Sequence, residues 1–189
     1  MESGLVFYWI SWMFWIIITF FMEKSNRRLI LAVWILIILI GSNIYVELFN
    51  YSISIAFVFL FIGTLLLITQ SKRLYYSVFT SFTIMIGYIA ILIWEKVTPV
   101  WFIFPRELFI PFFIFVLLIL FSKNFYHRLG IGLLGISFAE IFYYLILSDG
   151  HITTIVGKKE FFDHVAVLTF FLLISYLLQK VKQRKITIF

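Results

Sequence analysis

The sequence predicts an all-α fold, a polytopic bundle of seven transmembrane helices with the N-terminus outside and the C-terminus in the cytoplasm. Three observations support this prediction: the composition, the lengths of the apolar runs and the distribution of the basic residues. Hydrophobic residues make up 63% of the 189-residue chain and charged residues only 13%, whereas soluble domains contain about 25% charged residues. So few charges leave too little polar surface to cover a water-soluble globule, and lipid is expected to cover most of the protein.

Seven apolar runs have about the length that a helix needs to cross the hydrocarbon core, which is ~20 residues. Helices are expected because backbone groups without partners are costly in lipid. The runs occupy residues 5–22, 29–46, 53–70, 77–94, 105–121, 131–147 and 162–178. The segment 100–104, just before the fifth run, is expected to lie at the membrane interface. The whole chain, 1–189, is therefore predicted to be one integral membrane domain.

The basic residues alternate between the two sides of these seven spans. Loops 1, 3 and 5 and the C-terminal tail carry eleven of them, and the other side carries four. The eleven are Lys24, Arg27, Arg28, Lys72, Arg73, Lys123, Arg128, Lys180, Lys182, Arg184 and Lys185. Because Lys and Arg accumulate in cytoplasmic loops, this positive-inside pattern gives the predicted orientation. Tyr76 and Tyr126, near the predicted inner boundary, are expected to be interfacial anchors.

Several functions are disfavoured by what the sequence lacks. The chain contains no Cys, which excludes disulfides, thiolate nucleophiles and cysteine-ligated metals. It also lacks a Walker A loop, a dinucleotide-binding glycine motif and an HExxH zinc motif. The net charge of +6 lies in short clusters between apolar runs, which is not the pattern of a nucleic-acid-binding face. We therefore expect no nucleic-acid partner and no cofactor.

Glu140 is the most informative single residue because it is a carboxylate inside the sixth apolar run. A charged side chain at mid-membrane costs about 2.5–3.5 kcal/mol on insertion scales. Ser137 and Tyr144, at i−3 and i+4, share its helical face, so we expect a protonated or hydroxyl-bonded carboxyl. Glu140 is then either a hydrogen-bonded staple between helices or a site for a proton, ion or substrate.

Two further groups of residues are weighed as sites near the predicted outer surface. His151, Asp163 and His164 carry metal-ligating side chains, but their spacing matches no zinc signature. A polar loop with Asp163 near a helix N-terminus is the simpler interpretation. Arg106, with Lys96, has the chemistry to bind an anionic head group, and the alternative is a solvated helix end.

The first span and its loop resemble a known family. The residues concerned are Phe7-Tyr8-Trp9-Ile10-Ser11-Trp12, Trp15, Thr19-Phe20-Phe21-Met22 and the basic loop Lys24–Arg28. This aromatic-rich segment of about thirty residues is similar to the YphA family of small Bacillus membrane proteins. The resemblance implies a bacterial inner (plasma) membrane and names no catalytic residue.

The function expected from the sequence is that of a multi-pass membrane protein without catalytic apparatus, acting through lipids, a membrane-protein partner or a homo-oligomer. One alternative is a small proton- or cation-linked transporter or channel that uses Glu140. Another is a membrane-embedded lipid-modifying enzyme, which requires His151, Asp163 and His164 to converge on one site.

Overall fold

A computed structural model describes residues 3–48, 51–71, 73–97, 105–122, 124–147 and 154–186. These residues form seven α-helices and a small three-stranded sheet. The helices are α1 (Leu5–Ile16), α2 (Asn26–Gly41), α3 (Ile55–Thr69), α4 (Leu74–Val97), α5 (Arg106–Phe121), α6 (Phe125–Leu147) and α7 (Lys159–Ile186). The strands are β1 (Tyr45–Leu48), β2 (Tyr51–Ser54) and β3 (Thr154–Val156). The helical architecture is as predicted.

The sheet corrects the all-α prediction. Strands β1 and β2 pair antiparallel, and β3 joins β2 in parallel, with Val46 opposite Ile53 and Ile53 opposite Val156. The predicted second and third spans, 29–46 and 53–70, therefore include residues that are in strands. The error arose because hydropathy counts apolar residues whatever their period, and short runs of β-branched residues fit strands as well.

Three helices are long and apolar enough to cross a membrane by length and composition, namely α4, α6 and α7 up to Gln183. Helices α2, α3 and α5 have 16, 15 and 16 residues, or roughly 22–24 Å at 1.5 Å per residue. Helix α1 continues as a π-helical segment, Ile17–Phe21, to make a longer apolar rod. The predicted sixth and seventh spans, 131–147 and 162–178, are shorter than α6 and α7, the helices observed there.

Helix α6 is the centre of the bundle and packs against α3, α4, α5 and α7. Close approach to α4 depends on Gly135, where an added Cβ would lie 2.8 Å from the Ile84 side chain and from the Ser81 carbonyl oxygen. This is the small-residue packing typical of membrane helices. On the outside, Trp9 is 74% exposed and Phe21 is 81% exposed, an apolar surface that lipid must cover.

Candidate functional site

Glu140 lies on α6 and is buried, with only 4% of its surface exposed. Its Oε1 accepts a hydrogen bond from the backbone N–H of Gly157 at 3.3 Å. Gly157 follows β3 and lies two residues before the start of α7, so the bond joins α6 to the β3–α7 connection. The carboxyl is thus held by a backbone donor outside its own helix.

Ser137 was expected to share its hydroxyl with the Glu140 carboxyl, but the structure shows a different hydrogen bond. The Ser137 hydroxyl donates instead to the carbonyl oxygen of Leu133, at 2.7 Å on the same helix. Serine in a helix interior commonly satisfies itself in this way. Tyr144 contacts a cation, since Lys158 Nζ lies 5.2 Å from its ring centre. Sharing a helical face with Glu140 therefore did not make Ser137 its partner.

A second buried polar pair lies on α4 and α7. The Tyr88 hydroxyl and His164 Nδ1 are 2.7 Å apart, and both residues are buried. Tyr88 lies on α4, which packs against α6, the helix of Glu140, and we call these three residues the Glu140 cluster. Within the described part of the chain, His164 Nε2 is buried without a hydrogen-bond partner. The cluster holds three titratable side chains away from water.

Asp163 and His164 are consecutive on α7 but contact different helices, α1 and α4. The Asp163 carboxylate accepts hydrogen bonds from the backbone N–H groups of Gly4 at 2.6 Å and Phe7 at 2.7 Å, whereas His164 faces Tyr88. His151 lies outside the described residues. The described residues contain no group of three or more His, Asp or Glu arranged to hold a metal ion. Asp163 and His164 therefore do not converge on one ligand.

Arg106 and Lys96 do not form a joint cationic clamp. The Arg106 guanidinium lies 2.7 Å from Glu160, 3.6 Å from Glu95 and 3.7 Å from Glu107. Lys96 Nζ lies 5.0 Å from the ring centre of Tyr143. Three carboxylates around one guanidinium leave a net negative environment, which is unfavourable for an anionic head group.

A cavity of about 990 Å³ opens at the opposite end of the bundle, where α3, α5 and the starts of α4 and α6 meet the side of α7. We call it the His127 cavity. One wall is apolar and the rim is polar. Its lining residues are Leu67, Ile68, Gln70, Ser71, Arg73, Tyr76, Phe121, Ser122, Asn124, Phe125, Tyr126, His127, Gly130 and Tyr176.

His127 is held between two serine hydroxyls, one in the first turn of α4 and one in the α5–α6 connection. Its Nε2 lies 2.8 Å from Ser77 Oγ and its Nδ1 lies 2.9 Å from Ser122 Oγ. Ser77 Oγ also lies 3.0 Å from Ser71 Oγ. The chain of hydrogen bonds therefore links the α3–α4 connection to the α5–α6 connection and fixes the imidazole plane. Ser77 is completely buried, which makes it a support for the ring and unavailable as an exposed nucleophile.

Arg128 and Tyr76 complete the framework around His127. The buried Arg128 donates from Nε to the Ser122 carbonyl oxygen, and the Tyr76 hydroxyl donates to the Phe121 carbonyl oxygen at 2.8 Å. The Tyr76 ring stacks on His127 with centres 6.1 Å apart. Both residues thus satisfy carbonyl groups at the end of α5.

Sequence reasoning did not single out His127. The neighbouring Arg73 and Arg128 were explained by topology, and Tyr76 and Tyr126 by interfacial anchoring. Ser71 and Ser122 offered a signal, because both hydroxyls and one of only three His residues lie in loops on the same predicted side, with Ser77 at the adjoining end of the predicted fourth span. Nothing in the spacing, however, brings residue 77 to residue 127.

Long apolar helices with lipid-exposed side chains define the class: this is an integral membrane protein. A family model described as YphA-like integral membrane protein matches residues 3–189. The chain belongs to this family, which confirms the resemblance noted in the first span. It is 26% identical over 142 residues to "Uncharacterized protein YphA" of Bacillus subtilis (strain 168), covering 75% of this chain and 71% of that protein. No solved structure matches the chain.

Proposed function

We propose that the chain crosses a bacterial inner membrane seven times, with its N-terminus outside and its C-terminus in the cytoplasm. The eleven-to-four division of basic residues supports this orientation. The similarity to a Bacillus protein supports the bacterial inner membrane. In this arrangement the His127 cavity opens toward the cytoplasm, and the Glu140 cluster lies in the outer half of the bundle.

The absence of Cys from the chain makes the topology directly testable. Single substitutions Asn26→Cys and Asn124→Cys introduce thiols on the predicted cytoplasmic side, and Glu47→Cys and Lys96→Cys introduce them outside. All four positions are exposed. In intact cells, a membrane-impermeant maleimide should label only residues 47 and 96, whereas all four should react after permeabilisation. Labelling of residues 26 or 124 in intact cells would contradict the orientation.

Within this topology, the protein acts by binding an amphiphilic membrane component in the His127 cavity. The observation that carries this proposal is the combination of an apolar wall, formed by residues such as Leu67 and Phe121, with a polar rim that includes Arg73 and Asn124. Its volume of about 990 Å³ is at the upper end of the ~300–1,000 Å³ typical of small-molecule sites. A lipid matches both surfaces, with its chains on the wall and its head group at the rim.

Filling the cavity from its exposed edge tests the proposal. Gln70 lines the cavity and is exposed, so Gln70→Trp adds bulk without removing a buried contact. Leu66 is 56% exposed and does not line the cavity, so Leu66→Trp is the matched control. Native mass spectrometry should find lipid retained by the wild type and by Leu66→Trp and lost from Gln70→Trp. Equal retention in all three would overturn the proposal.

A second function, proton-linked transport, is favoured by the Glu140 cluster. Glu140 is buried and bonded by a backbone amide, and the neighbouring His164 has a nitrogen without a described partner. Buried ionisable groups in a membrane are often part of proton pathways. Proteoliposomes with an internal pH dye would report flux, which Glu140→Gln should abolish and the exposed Glu23→Gln should preserve. Flux no greater than that of empty liposomes would exclude this function.

A further inference from the structure

We propose that the rim of the His127 cavity selects a phosphate-type anionic group, with Arg73 as the residue that contacts it and His127 as a positioning residue. This inference rests on the proposed binding function and names the chemical class of its ligand. Three observations support it: the charge of the cavity lining, the hydrogen bonds that hold the main chain of Arg73, and the contrast with Arg106, whose charge is already compensated.

The charges around the cavity are of one sign among the described residues. None of the fourteen described residues that line it is Asp or Glu, whereas Arg73 is among them. Arg128, which follows the lining residue His127 in the chain, is 5% exposed and has no ion-pair partner among the described residues. A buried guanidinium without a counter-ion is costly unless an anion approaches it. The rim is therefore electrostatically suited to a negatively charged group.

Arg106 provides the contrast within the same chain. Its guanidinium is surrounded by Glu95, Glu107 and Glu160, so its charge is already compensated by protein carboxylates. Arg73 has no such partner in the part of the chain that the structure describes. Arg donors match phosphate oxygens in geometry and charge, and Arg73 is the lining residue with these donors.

The main chain of Arg73 is fixed on both sides. Its N–H donates to Ser71 Oγ at 3.3 Å, and its carbonyl oxygen accepts a hydrogen bond from Ser77 Oγ at 2.9 Å. Ser77 is in turn 2.8 Å from His127 Nε2, and His127 is tied through Ser122 to the α5–α6 connection. His127 thus positions Arg73 at the rim by holding the serine that holds its backbone.

The apolar wall of the cavity distinguishes two sources of the anion. A phosphate group at the rim is carried either by a phospholipid, whose chains would cover Leu67 and Phe121, or by a free ion, which leaves the wall uncovered. The two sources share one anion chemistry and differ in whether apolar chains contribute to affinity. Three probes separate them: phosphatidylglycerol, diacylglycerol with the same acyl chains but no phosphate, and inorganic phosphate.

The experiment measures binding of each probe to the purified full chain in a neutral detergent. Phosphatidylglycerol should bind about tenfold tighter than diacylglycerol, since one charge-assisted contact between Arg73 and the phosphate distinguishes them. Arg73→Gln should bring this ratio to about one, and Arg73→Lys should restore part of it. Arg73 is exposed, so these variants should keep the wild-type elution profile and melting temperature.

Two matched controls isolate the mechanism. Arg27 is an exposed basic residue on the same predicted side that does not line the cavity, and Arg27→Gln should leave the ratio unchanged. His127→Ala should lower the ratio by weakening phosphatidylglycerol more than diacylglycerol, and His127→Gln, which keeps a hydrogen-bonding group, should recover part of it. A general loss of packing would weaken both lipids equally and would overturn the positioning role of His127.

The failure of this inference is distinguishable from that of the binding function. Equal affinity for both lipids, with both displaced by Gln70→Trp, would overturn anion selection and leave the lipid site intact. Lipid binding that is unaffected by Gln70→Trp would overturn the site itself. Inorganic phosphate binding as tightly as phosphatidylglycerol, and lost in Arg73→Gln, would support the anion contact and contradict a lipid occupant.

Discussion

The carboxylate of Asp163, on the last helix, accepts a hydrogen bond from the backbone N–H of Phe7, in the first turn of α1, with Oδ1 and nitrogen 2.7 Å apart. Its other oxygen accepts the N–H of Gly4, the N-cap residue of α1. The first turn of a helix has N–H groups without helical partners and carries the positive end of the dipole. Asp163 therefore caps α1 from a position 156 residues away.

Removal of this cap should destabilise the bundle. Asp163→Ala leaves two buried N–H groups without partners, so we expect a loss of about 2 kcal/mol in the free energy of unfolding. Asp163→Asn keeps one carbonyl acceptor and should lose less. Glu160→Ala, in the same turn but about half exposed, is the control and should lose under about 1 kcal/mol. Denaturant unfolding in detergent measures all three, and equal losses at 160 and 163 would contradict the capping role.

The Tyr88–His164 pair should behave as a unit. Tyr88→Phe removes the hydroxyl that lies 2.7 Å from Nδ1 and leaves a buried imidazole with no described partner on either nitrogen. Leaving a buried polar group unpaired costs roughly 1–3 kcal/mol, whereas apolar replacement of both partners is close to neutral. The double variant Tyr88→Phe/His164→Phe should therefore be less destabilised than the sum of its single variants. Additive losses in this cycle would show that the bond contributes little.

The helices were predictable from sequence because the bilayer sets a minimum apolar length, and lipid leaves the backbone few alternatives. The strands were not, because Val46 and Ile53 are apolar and β-branched in runs too short to separate strand from helix by period. The parallel pairing of β2 with β3 joins segments about 100 residues apart, and no local pattern encodes such a contact.

The candidate sites were predictable to different degrees, because only some of their residues stand out in the sequence. Glu140 was found because a carboxylate in an apolar run is costly and therefore conspicuous. Its observed partner, the Gly157 N–H, was not found because a backbone donor has no residue signature. His127 was missed because the adjacent basic residues already had a topological explanation, and its serine partners come from two separate places, the first turn of α4 and the α5–α6 connection.

The ion pairs of Arg106 should contribute little to stability. The guanidinium is 42% exposed and its 2.7 Å partner Glu160 is 46% exposed, so water screens the interaction. Arg106→Gln should cost under about 1 kcal/mol, and the loss should shrink further in high salt because the Debye length falls to roughly 3 Å at 1 M. Unfolding at low and high ionic strength measures both effects. A loss above about 2 kcal/mol would indicate that Arg106 is structurally more important than this exposure implies.

Gly157 should be the least replaceable of the glycines beside the Glu140 cluster. Its φ of +76° lies in the left-handed region, which disfavours side chains. An added Cβ would also lie 2.7 Å from Phe57 Cβ, closer than van der Waals contact permits. Gly157→Ala must therefore move the β3–α7 connection and with it the N–H that donates to Glu140.

The control for this substitution is Gly87→Ala on α4. There the nearest atom to an added Cβ is a Leu117 methyl at 3.5 Å, an ordinary contact, and the backbone is helical, so the variant should be neutral or slightly stabilised. Gly157→Ala should lose about 1–3 kcal/mol from strain alone. Phe57→Gly removes the Cβ that an alanine at 157 would meet but not the strained φ, so Gly157→Ala should cost less in a Phe57→Gly background than in the wild type but should still cost stability there. Full stability in Gly157→Ala would mean that the connection can shift freely, and Glu140 would then not depend on this backbone donor.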